Sequence, residues 1–178
     1  MAKLIYGLNT SIDGFIDHER LGPPDSVLFR HFIERVRTSA GSLYGRKMYE
    51  IMAYWDADNP DWDDAEREYA AVWQAQPKWV ASRTLAAVGP NATLLGPDLE
   101  AEVRRLKTDI DGDIEVCGPH LAAGLTDLRL IDAYELYIHP AILGAGTPFF
   151  AKAPPPLRLT ASDRIGESAV RLTYVPVS

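Results

Sequence analysis

Anion binding is the chemistry that this sequence announces first. In "SLYGRKMYEIM", Ser42 to Met52, a strand-like apolar end runs straight into a helix-like segment whose first turn holds Gly45, Arg46 and Lys47. Cations are unfavourable at a helix N-terminus, where the backbone dipole is already positive. A phosphate or diphosphate held by the free N–H groups there would offset that placement. The alternative is that both side chains point to solvent or pair with Glu50. A second stretch, Ser82-Arg83-Thr84, follows "PKWVA" and sets a guanidinium between two hydroxyls at a strand end. That set suits phosphate oxygens, and an ordinary polar turn reads the same way. In the third, "VCGPHLAAGL", a strand ends at Cys117. Gly118 then permits close approach to a ligand, and Pro119 suits a first helical turn, which offers a second helix start to an anion. A plain strand-to-helix turn is the competing reading.

Acid–base candidates are fewer. Asp13 in "NTSIDGFID" is the first choice for a substrate-side polar group, with Asp17 or Asp25 second, although Asp13-Gly14 is also a turn signal. The acidic run "WDADNPDWDDAERE" lacks the glycine and final glutamate of a calcium loop and reads as a solvated loop capping a helix. His18, His31, His120 and His139 are scattered, without metal-ligand pairing. Walker, G-x-G-x-x-G and G-x-S-x-G patterns do not occur.

The elements that must position these residues alternate at the front of the chain. Short apolar runs predict strands at Lys3–Asn9, Gly41–Tyr44, Lys78–Ser82, Ala92–Leu95, Asp113–Cys117 and Ala133–His139. Leu157–Ile165 and Ser168–Val177 flank Gly166-Glu167 and predict an antiparallel hairpin. Helical stripes are Phe29, Phe32, Ile33 and Val36; Tyr44, Met48, Ile51, Met52 and Trp55; Leu99, Val103 and Leu106; and Leu121, Leu125 and Leu128. Asp98 is placed to cap the third. Strand–helix–strand order demands parallel neighbours. The fold class is therefore α/β, a mixed and mostly parallel sheet of about eight strands covered by helices on both faces. Ligands in such sheets bind outside the carboxyl ends of the strands.

Composition narrows the class. The 178 residues suit one domain spanning 1–178, and 47% hydrophobic content suits a real core. A net charge of -7 disfavours nucleic acid as a partner. The single cysteine excludes an internal disulfide. With no signal peptide and no apolar run near roughly 20 residues, the expectation is a soluble cytoplasmic protein without membrane contact.

In order, "KLIYGLNTSIDGFI", "LYGRKMYE", "PKWVASRTL", "DIEVCGPHLAAGL…LIDAYELYIHPAILGAGTPFF" and "LRLTASDRIGESAVRLTYVPV" resemble the reductase domain of the bifunctional riboflavin-biosynthesis deaminase-reductase. More broadly they resemble the dihydrofolate reductase-like superfamily. The resemblance spans nearly the whole chain. It implies NADPH across the strand ends, with Gly45, Arg46 and Lys47 at the phosphates. Ala81, Ser82 and Arg83 would lie near the adenosine 2′-phosphate, and Asn9 and Ile16 beside the nicotinamide. Cys117 and Gly118, with Pro119, His120 and Leu121, would stand where these reductases have a Gly-Gly pair and the helix after it. Met48 replaces the usual threonine. The deaminase half is missing, since neither H-x-E nor P-C-x-x-C occurs. The helix position that carries a carboxylate in dihydrofolate reductases is Phe29 here, with Asp25 one turn away, which argues against folate. The expectation is a standalone NADPH-dependent reductase acting on a small polar molecule. Dihydrofolate reduction and a non-catalytic nucleotide-binding module are the alternatives. The resemblance also implies a homodimer, and the exposed-looking "PAILGAGTPFF" places Phe149 or Phe150 near its interface.

Overall fold

The computed structural model describes residues 1–177. Its strands are β1 (Lys3–Ser11), β2 (Gly41–Gly45), β3 (Lys78–Ala81), β4 (Ala92–Leu94), β5 (Asp113–Cys117), β6 (Ala133–His139), β7 (Leu157–Ile165) and β8 (Ala169–Pro176). They form one sheet in the order β4-β3-β2-β5-β1-β6-β8-β7. Neighbours from β4 to β6 are parallel, while β8 runs antiparallel to both β6 and β7. The expected mixed sheet and terminal hairpin are both present.

Six helices connect the strands: α1 (His18–Leu21), α2 (Ser26–Thr38), α3 (Arg46–Met52), α4 (Asp64–Ala75), α5 (Leu99–Asp109) and α6 (Pro119–Asp127). Side chains within the first turn start three of them. Asp25 accepts from Val27 N and Leu28 N at α2, and Asp98 from Ala101 N at α5. Asp63 and Glu66 form a reciprocal capping box at α4, where the acidic run was expected to cap a helix. The short α1 had no sequence signal, because four residues carry no periodicity.

Strand alternation gives the sheet two unlike faces. Leu4, Tyr6, Leu43, Ile114, Val116 and Tyr134 share the face covered by α5 and α6, and with Val103, Leu106, Leu121 and Leu125 they form the main apolar core. The opposite face carries Gly7, Asn9, Ser42, Glu115, Glu135 and His139, as the pairing registers require. Helices α2 and α3 stand over this polar face.

The "PFF" segment corrects one expectation. Phe149 is 1% exposed and belongs to the chain's own core. Its ring lies 4.4 Å from that of Tyr6, whose hydroxyl donates to Phe149 O at 2.8 Å. Phe150 is partly buried against Tyr134 and Phe149. A Gly/Pro-rich loop can bury aromatics when it folds back on the sheet, so Phe149 is unavailable to a partner. Phe149→Ala should destabilise the chain by about 3–5 kcal/mol, read as a lower urea midpoint.

Candidate functional site

Strands β1, β2, β3, β5 and β6 end along one edge of the sheet, and two adjoining clefts open there. The larger, of ≈ 570 Å³, lies between the polar face, α1, α2 and α3. The smaller, of ≈ 420 Å³, lies between the starts of α3 and α6 and the loop after β1. Ile16, His18, Glu19, Met48 and Ile51 line both, so the two are continuous.

The smaller cleft gathers most of the residues expected at a cofactor: Ile16, Gly45, Arg46, Lys47, Gly118, Pro119, His120 and Leu121. No side chain caps α6, which leaves the amides of its first turn to other acceptors. Gly118 has φ 121, and a Cβ there would stand 3.7 Å from Met48 Cβ. A side chain would thus narrow the gap between α3 and α6. The φ, which side-chain-bearing residues rarely adopt, favours glycine, while the 3.7 Å approach to Met48 is ordinary contact. Arg46 also lies 3.6 Å from Glu50, the surface pairing that the sequence left open.

Asn9 and Cys117 line the larger cleft instead. His139 Nε2 and Asn9 Oδ1 are 2.8 Å apart. An amide oxygen only accepts, so Nε2 carries the proton. Burial holds His139 below the ordinary histidine value, against the pull of Asp25. Burial also pushes the Cys117 thiol up to about 12, which removes it as a nucleophile.

Ala81, Ser82 and Arg83 line neither cleft. Ala81 ends β3 beside Gly45 at the end of β2, and Ser82 and Arg83 follow it at the same sheet edge. Ser82 Oγ accepts from Thr84 N at 3.2 Å and Leu85 N at 3.0 Å, which makes a tight polar turn.

The two acids chosen from sequence are engaged elsewhere, and neither lines a cleft. Asp13 accepts from Ser11 Oγ, Leu143 N and Gly144 N. The Ser11 bond and these backbone amides hold it down at about 2. It pins the loop after β6 to the loop after β1. Asp25 caps α2 and also accepts from Glu167 N at 2.9 Å. Those amide bonds hold it below the usual carboxylate range. Both carboxylates are thus occupied with backbone and hydroxyl donors outside the two clefts. Asp17 lines the smaller cleft and accepts from Thr147 N at 2.7 Å.

Besides Glu19 of α1, the larger cleft is lined by Glu115 on the sheet, which sequence reasoning overlooked. Arg35 of α2 reaches Glu115 Oε1 on β5 at 2.5 Å and Glu135 Oε2 on β6 at 2.8 Å. It thereby spans β1, whose Ile5 and Gly7 are in register with those two residues. Tyr137 donates to Glu135 Oε2 at 3.2 Å, and His31 Nε2 lies 3.0 Å from the Tyr137 hydroxyl. Burial raises the proton affinity of Glu115, and Arg35 opposes the rise. The available signal was strand parity: Glu115 is two residues before Cys117 and must share its face.

These features define an α/β protein with two joined clefts at the carboxyl edge of the parallel strands of a mixed sheet. The family model of the RibD C-terminal domain matches residues 2–170, and the chain belongs to that family. It is 28% identical over 181 residues to the uncharacterized protein YyaP of Bacillus subtilis, covering 97% of this chain and 94% of that one. A putative riboflavin biosynthesis protein of Shewanella sp. PV-4 has the same fold, with TM-score 0.74 at 21% identity and 99% of both chains covered. So does a diaminohydroxyphosphoribosylaminopyrimidine deaminase/5-amino-6-(5-phosphoribosylamino)uracil reductase of Thermotoga maritima. There the TM-score is 0.65 at 16% identity, covering 99% of this chain and 57% of that one.

Removing the guanidinium would leave two largely buried carboxylates without their cation. Arg35→Met should cost about 3–5 kcal/mol at neutral pH. Glu115, whose proton affinity burial already raises and Arg35 holds down, would then bind its proton more tightly folded than unfolded. The deficit should therefore be smallest below the ordinary glutamate range and grow as pH rises through its folded value. Urea titrations at pH 4.5 to 8 read this directly.

Proposed function

We propose that the chain is a standalone reductase of the riboflavin type that uses NADPH and reduces a small polar molecule. The observation that carries this reading is the continuous pair of clefts, one holding an uncapped helix start and flanking cations, the other a buried carboxyl. The residues fit a dinucleotide. Gly45, Arg46, Lys47, His120 and Leu121 would hold its phosphates, and the bare Gly118 would let it pass between α3 and α6. Ile16 stands where the clefts join, and Asn9 lines the larger one. Ser82 and Arg83 would meet the 2′-phosphate at the neighbouring strand end.

When bound, the cofactor supplies a hydride. Reduction of a C=N or C=O group also takes up one proton. Glu115 is the group of this chain suited to relay that proton from solvent, binding it only transiently, since its burial raises its affinity for it. Arg35 and the sheet fix the carboxyl in place, so orientation contributes to the rate along with the proton. Phe29, where dihydrofolate reductases have their acid, is an apolar wall residue of the larger cleft.

Arg83→Ala should weaken NADPH by about ten- to a hundredfold, the worth of a charge-assisted contact, and leave NADH nearly unchanged. Fluorescence titration of both dinucleotides checks it, and equal weakening would remove Arg83 from that position. The reading includes a homodimer whose contact excludes Phe149. Light scattering at micromolar concentration should give twice the chain mass, and a value near 19.7 kDa would refute the dimer.

A further inference from the structure

The larger cleft has walls and a floor of different kinds. Phe29, Tyr69 and Trp55 make one aromatic wall, with Phe29 stacked on Tyr69 at 5.6 Å between ring centroids and Trp55 against Tyr69 at 4.7 Å. Met48, Ile51 and Met52 of α3 extend it. A slot with such walls takes a flat ring.

The floor is polar, and most of its groups are already taken. Ser42 Oγ donates to Gln76 Oε1 at 2.8 Å, and Tyr44 OH accepts from Trp73 Nε1 at 3.0 Å. Asn9 and His139 hold each other. Among the described residues lining this cleft, Arg35 is the one with a permanent positive charge. Its guanidinium is held on both sides, by Glu115 and Glu135. With both carboxylates ionised that triad carries a net negative charge. A phosphate entering here would meet repulsion and a cation with two acceptors already in place. Glu115 Oε1 takes the Arg35 bond, and its Oε2 has no hydrogen-bond partner among the described residues. That oxygen is free to accept.

We infer that the larger cleft selects a flat, phosphate-free nitrogen heterocycle, neutral or cationic, whose N–H edge donates to Glu115 while its ring lies against the Phe29–Tyr69–Trp55 wall. The inference rests on the proposed reductase reading for which site is the substrate's, and it departs from the phosphoribosyl substrate named for the Thermotoga neighbour. Glu115 is the specificity determinant, because it is the floor carboxylate that a ring edge can reach. Glu135 also bonds Arg35, yet it does not line the cleft.

The test uses the full chain and two probes, 2,4-diaminopyrimidine and cytidine 5′-monophosphate, titrated against tryptophan fluorescence, with Trp55 as the reporter. The base should bind at least tenfold tighter than the nucleotide. Glu115→Gln should weaken the base by about ten- to a hundredfold, whereas Glu135→Gln should leave it within about threefold. Circular dichroism confirms that both variants are folded, and equal losses in the two would reassign Glu115 to a purely structural role. Nucleotide binding as tight as the base, no base binding up to millimolar concentration, or base affinity unchanged in Glu115→Gln would each overturn the inference. The readout needs no NADPH. A failure of NADPH to bind in its own titration therefore strikes the reductase reading, while a failure of the base strikes this one.

Discussion

Arg35 reaches from α2 across β1 and holds a carboxylate on each flanking strand. Two glutamates on one sheet face, each desolvated by the helix above, would destabilise the fold if left alone. The guanidinium cancels most of that cost and fixes the distance between helix and sheet. Apolar side chains in those positions would let α2 pack flush, as α5 and α6 do on the other face. The ion triad instead props the helix over a polar floor, and the larger cleft is the space that results. The bare Gly7, in register with Glu135, keeps the backbone of β1 clear beneath the bridge.

Topology brings the second cleft alongside. Strand β5 enters between β2 and β1, so the segments after β2, β5 and β1 converge at one edge although they are far apart in sequence. The helix starts at Gly45 and Gly118 come from strands paired through Tyr44 and Cys117. Ile16 and Met48 then stand at the seam of the two clefts, so that groups held in one would lie next to groups held in the other.

Much of the fold was legible because its signals are local. β5, β6 and β7 have the predicted bounds, and the caps at Asp63 and Asp98 follow from residue type and spacing. The anion-type stretches at Gly45 and Gly118 could be located because strand ends and helix starts leave short signatures. Glu115 was overlooked for a different reason. Parity shows which face a strand residue takes, but not whether the helix over that face packs down or stands off. The stripe of Met48, Ile51 and Met52 marks α3 correctly but not its role, since residues that line a cleft and residues that fill a core look alike in sequence. Asp13 and Asp25 were attractive as free carboxylates, and only long-range contacts with Leu143, Gly144 and Glu167 reveal what occupies them. Phe149 likewise needed a partner 143 residues away, Tyr6.

The contact between Asp25 and the turn at Gly166-Glu167 ties the first residues of α2 to the hairpin of β7 and β8. The turn residue has φ +68, and a Cβ at Gly166 would overlap the Asp25 carboxylate. The wall of the larger cleft is therefore anchored by a segment that lies far from it in sequence. Sheet order alone would make the hairpin look like an appendage, an edge ribbon that could be trimmed from a minimal folded unit. The anchor makes it part of that unit. Dissecting the chain before β7 would remove a contact at the start of the helix that frames the larger cleft, so the smallest fragment that keeps this contact extends to the turn between the two strands of the hairpin.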